Sequence, residues 1–333
     1  MTTEPISSPY PRSSKRSEDK IRALDTNSIG FTPEIPPQIE LVDGRLITVV
    51  PDNDEIYQRV LTLLNDGFAG IIFTGPPGTS KSYYAVQIAA KLAEGQPERV
   101  TSIQFHPSYQ YEDFVEGYVP TEEATGFFLE KKHLLNMCQR AEENPGKTCV
   151  IVIDELSRCD PGRVFGEALT YIEMTKRGQL FRLASGRILS IPPNLIFLAT
   201  MNPMDRGVDE VDAAFERRFA KLAMEPSDVL LEQFLSKNGM NEDLRRKVVR
   251  FFQYLNRLNN PYCKVGHAYF FHIRDEAGLR RLWEHQLRFV MDRAFKLDPN
   301  NHREVSTAWD NIFRQERQPE SVEESPPASV TPS

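Results

Sequence analysis

The stretch Gly75-Pro76-Pro77-Gly78-Thr79-Ser80-Lys81-Ser82 constrains this chain more than any other. An apolar run, Gly70–Thr74, precedes it, and a helix-forming segment over 83–92 follows. A strand that turns through glycines into Lys-Ser and then a helix is a phosphate-binding loop. Backbone N–H groups of the turn and the positive end of the helix meet phosphate oxygens there. In such a loop Lys81 reaches the β and γ phosphates of a nucleoside triphosphate, and the Ser82 hydroxyl ligates Mg2+. The remaining loop residues and Tyr83 complete the nucleotide cradle. The glycine that usually precedes the lysine is replaced by Ser80. A serine keeps the loop intact provided that its φ stays negative.

Roughly seventy residues downstream, Cys149-Val150-Ile151-Val152-Ile153-Asp154-Glu155 runs through β-formers into two carboxylates. A fully apolar strand is buried on both faces, as in a parallel sheet covered by helices. Carboxylates at its C-terminal end sit where open α/β sheets place their ligands. Asp154 would then hold magnesium through water, and Glu155 would polarise the attacking water. Alone, the pair could equally be a solvated acidic turn; its distance from the phosphate loop decides the reading. A third strand, 194–200, leads into Met201-Asn202-Pro203-Met204-Asp205-Arg206, where Asn202 could orient a water against the γ-phosphate. A short helix over 211–219 ends in Arg217 and Arg218. A guanidinium reaching across a subunit boundary stabilises charge in phosphoryl transfer, although cations also favour helix C-termini through the dipole.

Four further segments carry a resemblance. Gln104-Phe105-His106-Pro107-Ser108-Tyr109-Gln110-Tyr111-Glu112-Asp113-Phe114, Asp154-Glu155-Leu156-Ser157-Arg158 with Phe165-Gly166-Glu167, Met201 through Arg206, and Val265-Gly266-His267-Ala268-Tyr269-Phe270 all fit one pattern. Together they resemble the McrB-like branch of the dynein-related AAA+ NTPases over about residues 55–295. Pro203 and Met204 depart from the branch's small polar pair, and Glu216 stands where a further arginine is usual. The resemblance implies an α/β AAA+ core with a central parallel five-stranded sheet flanked by helices, plus a small C-terminal helical lid. It also implies Mg2+-dependent hydrolysis of ATP, with GTP as the alternative, in a homo-oligomeric, hexameric ring. Arg158 matches the arginine that the branch presents to a neighbour's nucleotide, and Asp205 falls within the catalytic signature. The work that hydrolysis drives is read as motion on DNA with a separately encoded nuclease. The alternatives are a MoxR-type chaperone working with an adaptor on a protein client, and a nucleotide switch without motor work.

Bulk properties agree with this class. The chain has 333 residues, 40% of them hydrophobic, enough for a buried core and a lid. No run approaches the ~18 apolar residues of a membrane span, no signal-peptide pattern opens the chain, and the four cysteines lack metal-site spacing. A cytoplasmic protein is the expectation. A net charge of −7 gives no broad basic footprint for duplex DNA.

Along the chain, residues 1–38 are rich in Ser, Pro and charge and read as a disordered tail. The core is placed at 39–225, the lid at 226–314 and a second tail at 315–333. Asp43-Gly44 marks a turn between short extended segments, and Glu55–Asn65 has helical spacing. The five core strands are placed at Gly70–Thr74, 99–105, Cys149–Asp154, 194–200 and 219–224. An aromatic insertion holding Tyr109, Tyr111, Phe114, Tyr118, Phe127 and Phe128 either faces a ring's pore or packs on a neighbouring subunit. A hairpin is placed over 178–193. His267 either approaches the nucleotide from the lid or satisfies local hydrogen bonds.

Overall fold

The computed structural model describes residues 38–40, 46–121, 126–204 and 213–314. Both proposed tails, the Asp43-Gly44 turn and Asp205 therefore lie outside the described residues, except that Gln38 opens a short strand. The strands Gln38–Glu40 and Leu46–Thr48 pair antiparallel.

Five strands form the central sheet: β1 (Gly70–Thr74), β2 (Val100–Gln104), β3 (Cys149–Asp154), β4 (Leu195–Met201) and β5 (Phe219–Ala223). Their order is β5-β1-β4-β3-β2, and every pairing is parallel. Register fixes the consequence. Thr74 pairs with Met201 and with Ala223, and Asp154 pairs with Gln104, so all five C-terminal ends lie along one edge. The phosphate loop leaves β1 and the acidic pair leaves β3, with β4 inserted between them.

Alternation explains why these strands read as unbroken apolar runs. Ile71 and Phe73 enter one core with Val150, Val152 and Leu198, whereas Ile72 enters the other with Ile151, Ile153 and Phe197. The first core is closed by α1 (Glu55–Asn65) and α2 (Lys81–Leu92), the second by α3 (His133–Glu143) and the turns around Phe165. Ala85, Ala89 and Ala93 let α2 lie close to the sheet. Asp54 starts α1 by accepting from the Tyr57 N–H at 2.9 Å.

Strand boundaries differ from the sequence reading by one residue in places. The fourth strand runs Leu195–Met201, not 194–200, because the Asn194 amide donates to the carbonyls of Ala141, Asn144 and Lys147. Its side chain thus closes the preceding loop, while its carbonyl accepts the Cys149 N–H at 2.9 Å as the last contact before the strand. The aromatic insertion divides in two. Phe114 is buried in the core, and Tyr109 and Tyr111 pack against it with part of each side chain left at the surface. Tyr118, Phe127 and Phe128 stand exposed on a hairpin of Glu116–Pro120 with Phe127–Lys131. The second hairpin pairs only Phe181–Arg182 with Ile188–Leu189. Arg187 donates to the buried Glu116 at 2.8 Å and ties the two hairpins together.

From α4 (Asp228–Lys237) onward the described chain is helical around a third core of its own, which includes Leu235, Phe252, Leu279 and Trp309. Within it a π-helical segment, Trp283–Leu287, stands between the helices Glu276–Leu282 and Arg288–Ala294. Among the described residues no helix is long and apolar enough to cross a membrane.

Candidate active site

The sheet edge brings three polar side chains to one point. Ser82, in the first turn of α2, donates its hydroxyl to Asp154 Oδ1 at 2.7 Å. Thr200, from the intervening strand β4, donates its hydroxyl to the same oxygen. The Thr200 hydroxyl in turn accepts the Glu155 N–H at 3.2 Å. One threonine therefore staples both carboxylate residues to the middle strand, and donor and acceptor roles agree throughout. Thr200 was read from the sequence only as strand; its signal was a polar residue near the end of an otherwise apolar run.

Glu155 takes left-handed backbone angles, φ 57° and ψ 45°. For a non-glycine residue that conformation costs on the order of 1 kcal/mol or more and concentrates at functional sites. The turn swings the Glu155 side chain away from the strand axis, where its Oε2 accepts from Arg158 Nε at 3.3 Å. Arg158 itself stays 41% exposed and borders a cleft of about 430 Å3 shared with Tyr109, Tyr111 and Arg163. Asn202, just beyond β4, accepts the Met204 N–H at 3.2 Å and shapes the following turn.

The two arginines after the short helix Ala213–Glu216 part company. Arg217 is exposed. Arg218 is 7% exposed and lies 3.8 Å from Glu173 Oε2, with its backbone carbonyl accepting from Ala69. Burial of that kind suits a packing role. Glu216, in place of a further arginine, pairs with Lys221.

In the phosphate loop, Lys81 Nζ donates to the Gly75 and Pro76 carbonyls at 2.9 and 2.8 Å. Thr79, almost fully buried, ties its hydroxyl to Pro76 O at 3.0 Å. Tyr83 is 58% exposed beyond the loop. Ser80 overturns the sequence reading. Its φ is +63°, not negative, so a serine holds the left-handed turn that glycine adopts without a Cβ penalty. The loop survives because Ser80 has outside support.

That support comes from the helical region. Gly266 N–H donates to Pro77 O at 3.0 Å and Ala268 N–H to Gly78 O at 2.9 Å. The approach is so close that a Cβ on Gly266 would fall 2.0 Å from the Gly78 carbonyl, and one on Gly78 (φ +78°) would strike the Tyr269 ring. His267, between those two amides, is 2% exposed. Its Nδ1 accepts the Ser227 N–H at 3.2 Å, and its Nε2 lies 3.1 Å from Ser80 Oγ. An acceptor Nδ1 places the ring proton on Nε2, so His267 donates to Ser80. The structure thus places His267 between Ser80 of the loop and Ser227 of the helical region, a role visible in sequence only as a lone histidine after a glycine.

Residues 70–219 match the AAA domain of the dynein-related subfamily. The chain thus carries a domain that resembles the dynein-related AAA family and is similar to McrB. It is 34% identical over 222 residues to the type IV methyl-directed restriction enzyme EcoKMcrB subunit of Escherichia coli K12, across 60% of this chain and 47% of that protein. It is 26% identical over 188 residues to the type II restriction enzyme BsuMI component YdiS of Bacillus subtilis 168, across 45% of this chain and 55% of that protein. The chain therefore spans about half the length of these relatives.

Burial holds the His267 imidazole neutral by lowering its pKa to about 4. The unfolded histidine titrates near 6.5. Its contribution to stability is therefore complete above about pH 6.5, declines as pH falls through that value and levels off below about 4. Urea unfolding between pH 7 and 4 should lose up to about 1.4 kcal/mol per pH unit from this group. His267→Gln should remove that component of the slope; an unchanged slope would contradict the burial of a neutral ring.

Proposed function

We propose that the chain hydrolyses a nucleoside triphosphate at the edge formed by residues 75–83, Asp154, Glu155 and Asn202. The observation that carries this reading is the 2.7 Å hydrogen bond between Ser82 and Asp154, residues 72 positions apart. A hydroxyl and a carboxylate at that separation, with Ser82 exposed, suit Mg2+, which takes few protein oxygens and keeps waters and phosphate oxygens. Ser82 and Asp154 would hold the ion, which when bound neutralises charge on the phosphate oxygens. The first-turn amides of α2 and the Lys81 ammonium would receive the β and γ phosphates, Lys81 exchanging loop carbonyls for phosphate. Glu155 would accept the proton of a water as its oxygen attacks the γ-phosphorus and the bridging P–O bond breaks. Asn202 would hold that water in line, and Asp205 belongs to the same signature. ATP is the nucleotide we assign, with GTP as the alternative.

Arg158 is the arginine we assign to a neighbouring subunit's nucleotide, in a homo-oligomeric ring read as a hexamer. It is exposed, it sits three residues past the catalytic carboxylate, and its contact to Glu155 is a weak surface pair that a neighbour can displace. Arg217 is the second candidate for this role; the burial of Arg218 favours structure. The restriction-enzyme names of the two relatives support work on DNA with a nuclease partner. The expected location is the cytoplasm.

Glu155→Gln should keep triphosphate affinity within a few-fold while lowering turnover by about 10^2 or more. Comparable turnover in that variant would remove the base assignment. Arg158→Ala should likewise be inactive alone. Mixed equally with Glu155→Gln, it should recover activity, since random assembly makes roughly one interface in four competent. Absence of recovery under conditions where the two variants co-assemble would contradict action in trans.

A further inference from the structure

Two facts about Ser80 belong together. It stands in a left-handed conformation at the loop's last step before the helix, and its hydroxyl is met by a histidine 187 positions away. Ser80 makes no side-chain cap to its own helix, so the contact from His267 is not competing with local capping. The histidine is held from behind by Ser227 N–H, and Ser227 is itself the N-cap of α4, accepting from Leu230 N–H at 3.2 Å. Two residues before His267, Val265 is fixed by Asn256, which donates to Val265 O and accepts Val265 N–H, both at 3.1 Å. The ring therefore reaches Ser80 from a rigid mount.

We propose that His267 is a positioning residue of the phosphate loop: by donating from Nε2 to Ser80 Oγ it holds the left-handed turn that aims the loop amides, and it makes that turn depend on a docked lid. A glycine at position 80 would need no such partner, because φ near +63° carries no Cβ penalty for it. The serine and the histidine are in this account one device. A swing of the lid that withdraws His267 releases Ser80, and occupancy of the loop favours the docked lid by the same coupling. The inference rests on the phosphate-loop reading above and assigns that loop a dependence that a glycine-containing loop lacks.

The test is a four-variant cycle in the full chain: wild type, His267→Ala, Ser80→Gly and the double variant. Binding is read with a fluorescent ATP analogue and Mg2+, and stability by urea unfolding. His267→Ala should weaken analogue binding about tenfold when Ser80 is present, and by less than about twofold in the Ser80→Gly background. His267→Gln, whose amide can both donate to Ser80 and accept from Ser227, should stay within about threefold of wild type. A loss of equal size in both backgrounds would show that the ring merely packs, and would overturn the proposal. So would the absence of any loss in either. If wild type bound no nucleotide, the phosphate-loop reading would fail by itself, and the unfolding cycle would still decide the coupling. Non-additive unfolding midpoints would support the Ser80–His267 device, and additive ones would sink it.

Discussion

The Asp154 carboxylate is the joint on which the site depends. One of its oxygens receives hydroxyls from two other elements, Ser82 from the helix after β1 and Thr200 from β4. That junction is possible only because the sheet places β4 between β1 and β3 with all three strands parallel and in register. Adjacent strands sit roughly 4.8 Å apart, so β1 and β3 are two spacings from each other. The first turn of α2 leans across that gap, and Thr200 fills it from below. Sheet order, and not proximity in sequence, assembles the constellation.

Two non-glycine residues in left-handed conformations flank this junction, Ser80 on the loop and Glu155 beyond the strand. Each is held by a polar contact from a distant segment: His267 for the first, Thr200 for the second. Local backbone strain persists where the surrounding structure over-determines it, and both supports are hydrogen bonds with unambiguous donor roles. The third core, built by the helices after residue 227, serves this end as well as its own stability. It delivers Gly266, His267 and Ala268 to the loop with backbone amides on either side of the ring.

The fold was legible wherever chemistry is periodic. Long β-former runs with both faces buried announced β1, β3 and β4, and the helical spacing of Glu55–Asn65 announced α1 to the residue. The loop and the acidic pair were legible because their spacing and flanks are chemically specific. What the sequence concealed depends on partners far away in the chain. Ser80 looked tolerable only at negative φ, since nothing nearby hints at a histidine ready to support the other sign. Arg217 and Arg218 looked equivalent as neighbours, whereas the fold exposes one and buries the other beside Glu173. The aromatic insertion read as one surface because aromatics pack inward and outward with equal ease, and only tertiary contacts sort Tyr109, Tyr111 and Phe114 from Tyr118, Phe127 and Phe128.

The family match covers residues 70–219, and the chain spans about half the length of the relatives it resembles. The central claim is accordingly confined to chemistry that this chain can hold: a magnesium–triphosphate complex gripped between Lys81 and the Ser82–Asp154 pair. Titration calorimetry with a non-hydrolysable ATP analogue tests it most directly, comparing wild type with Lys81→Ala in Mg2+ and in EDTA. The account predicts tight binding by wild type that weakens when Mg2+ is chelated and is lost in Lys81→Ala. Binding of the same strength in all four conditions would contradict it.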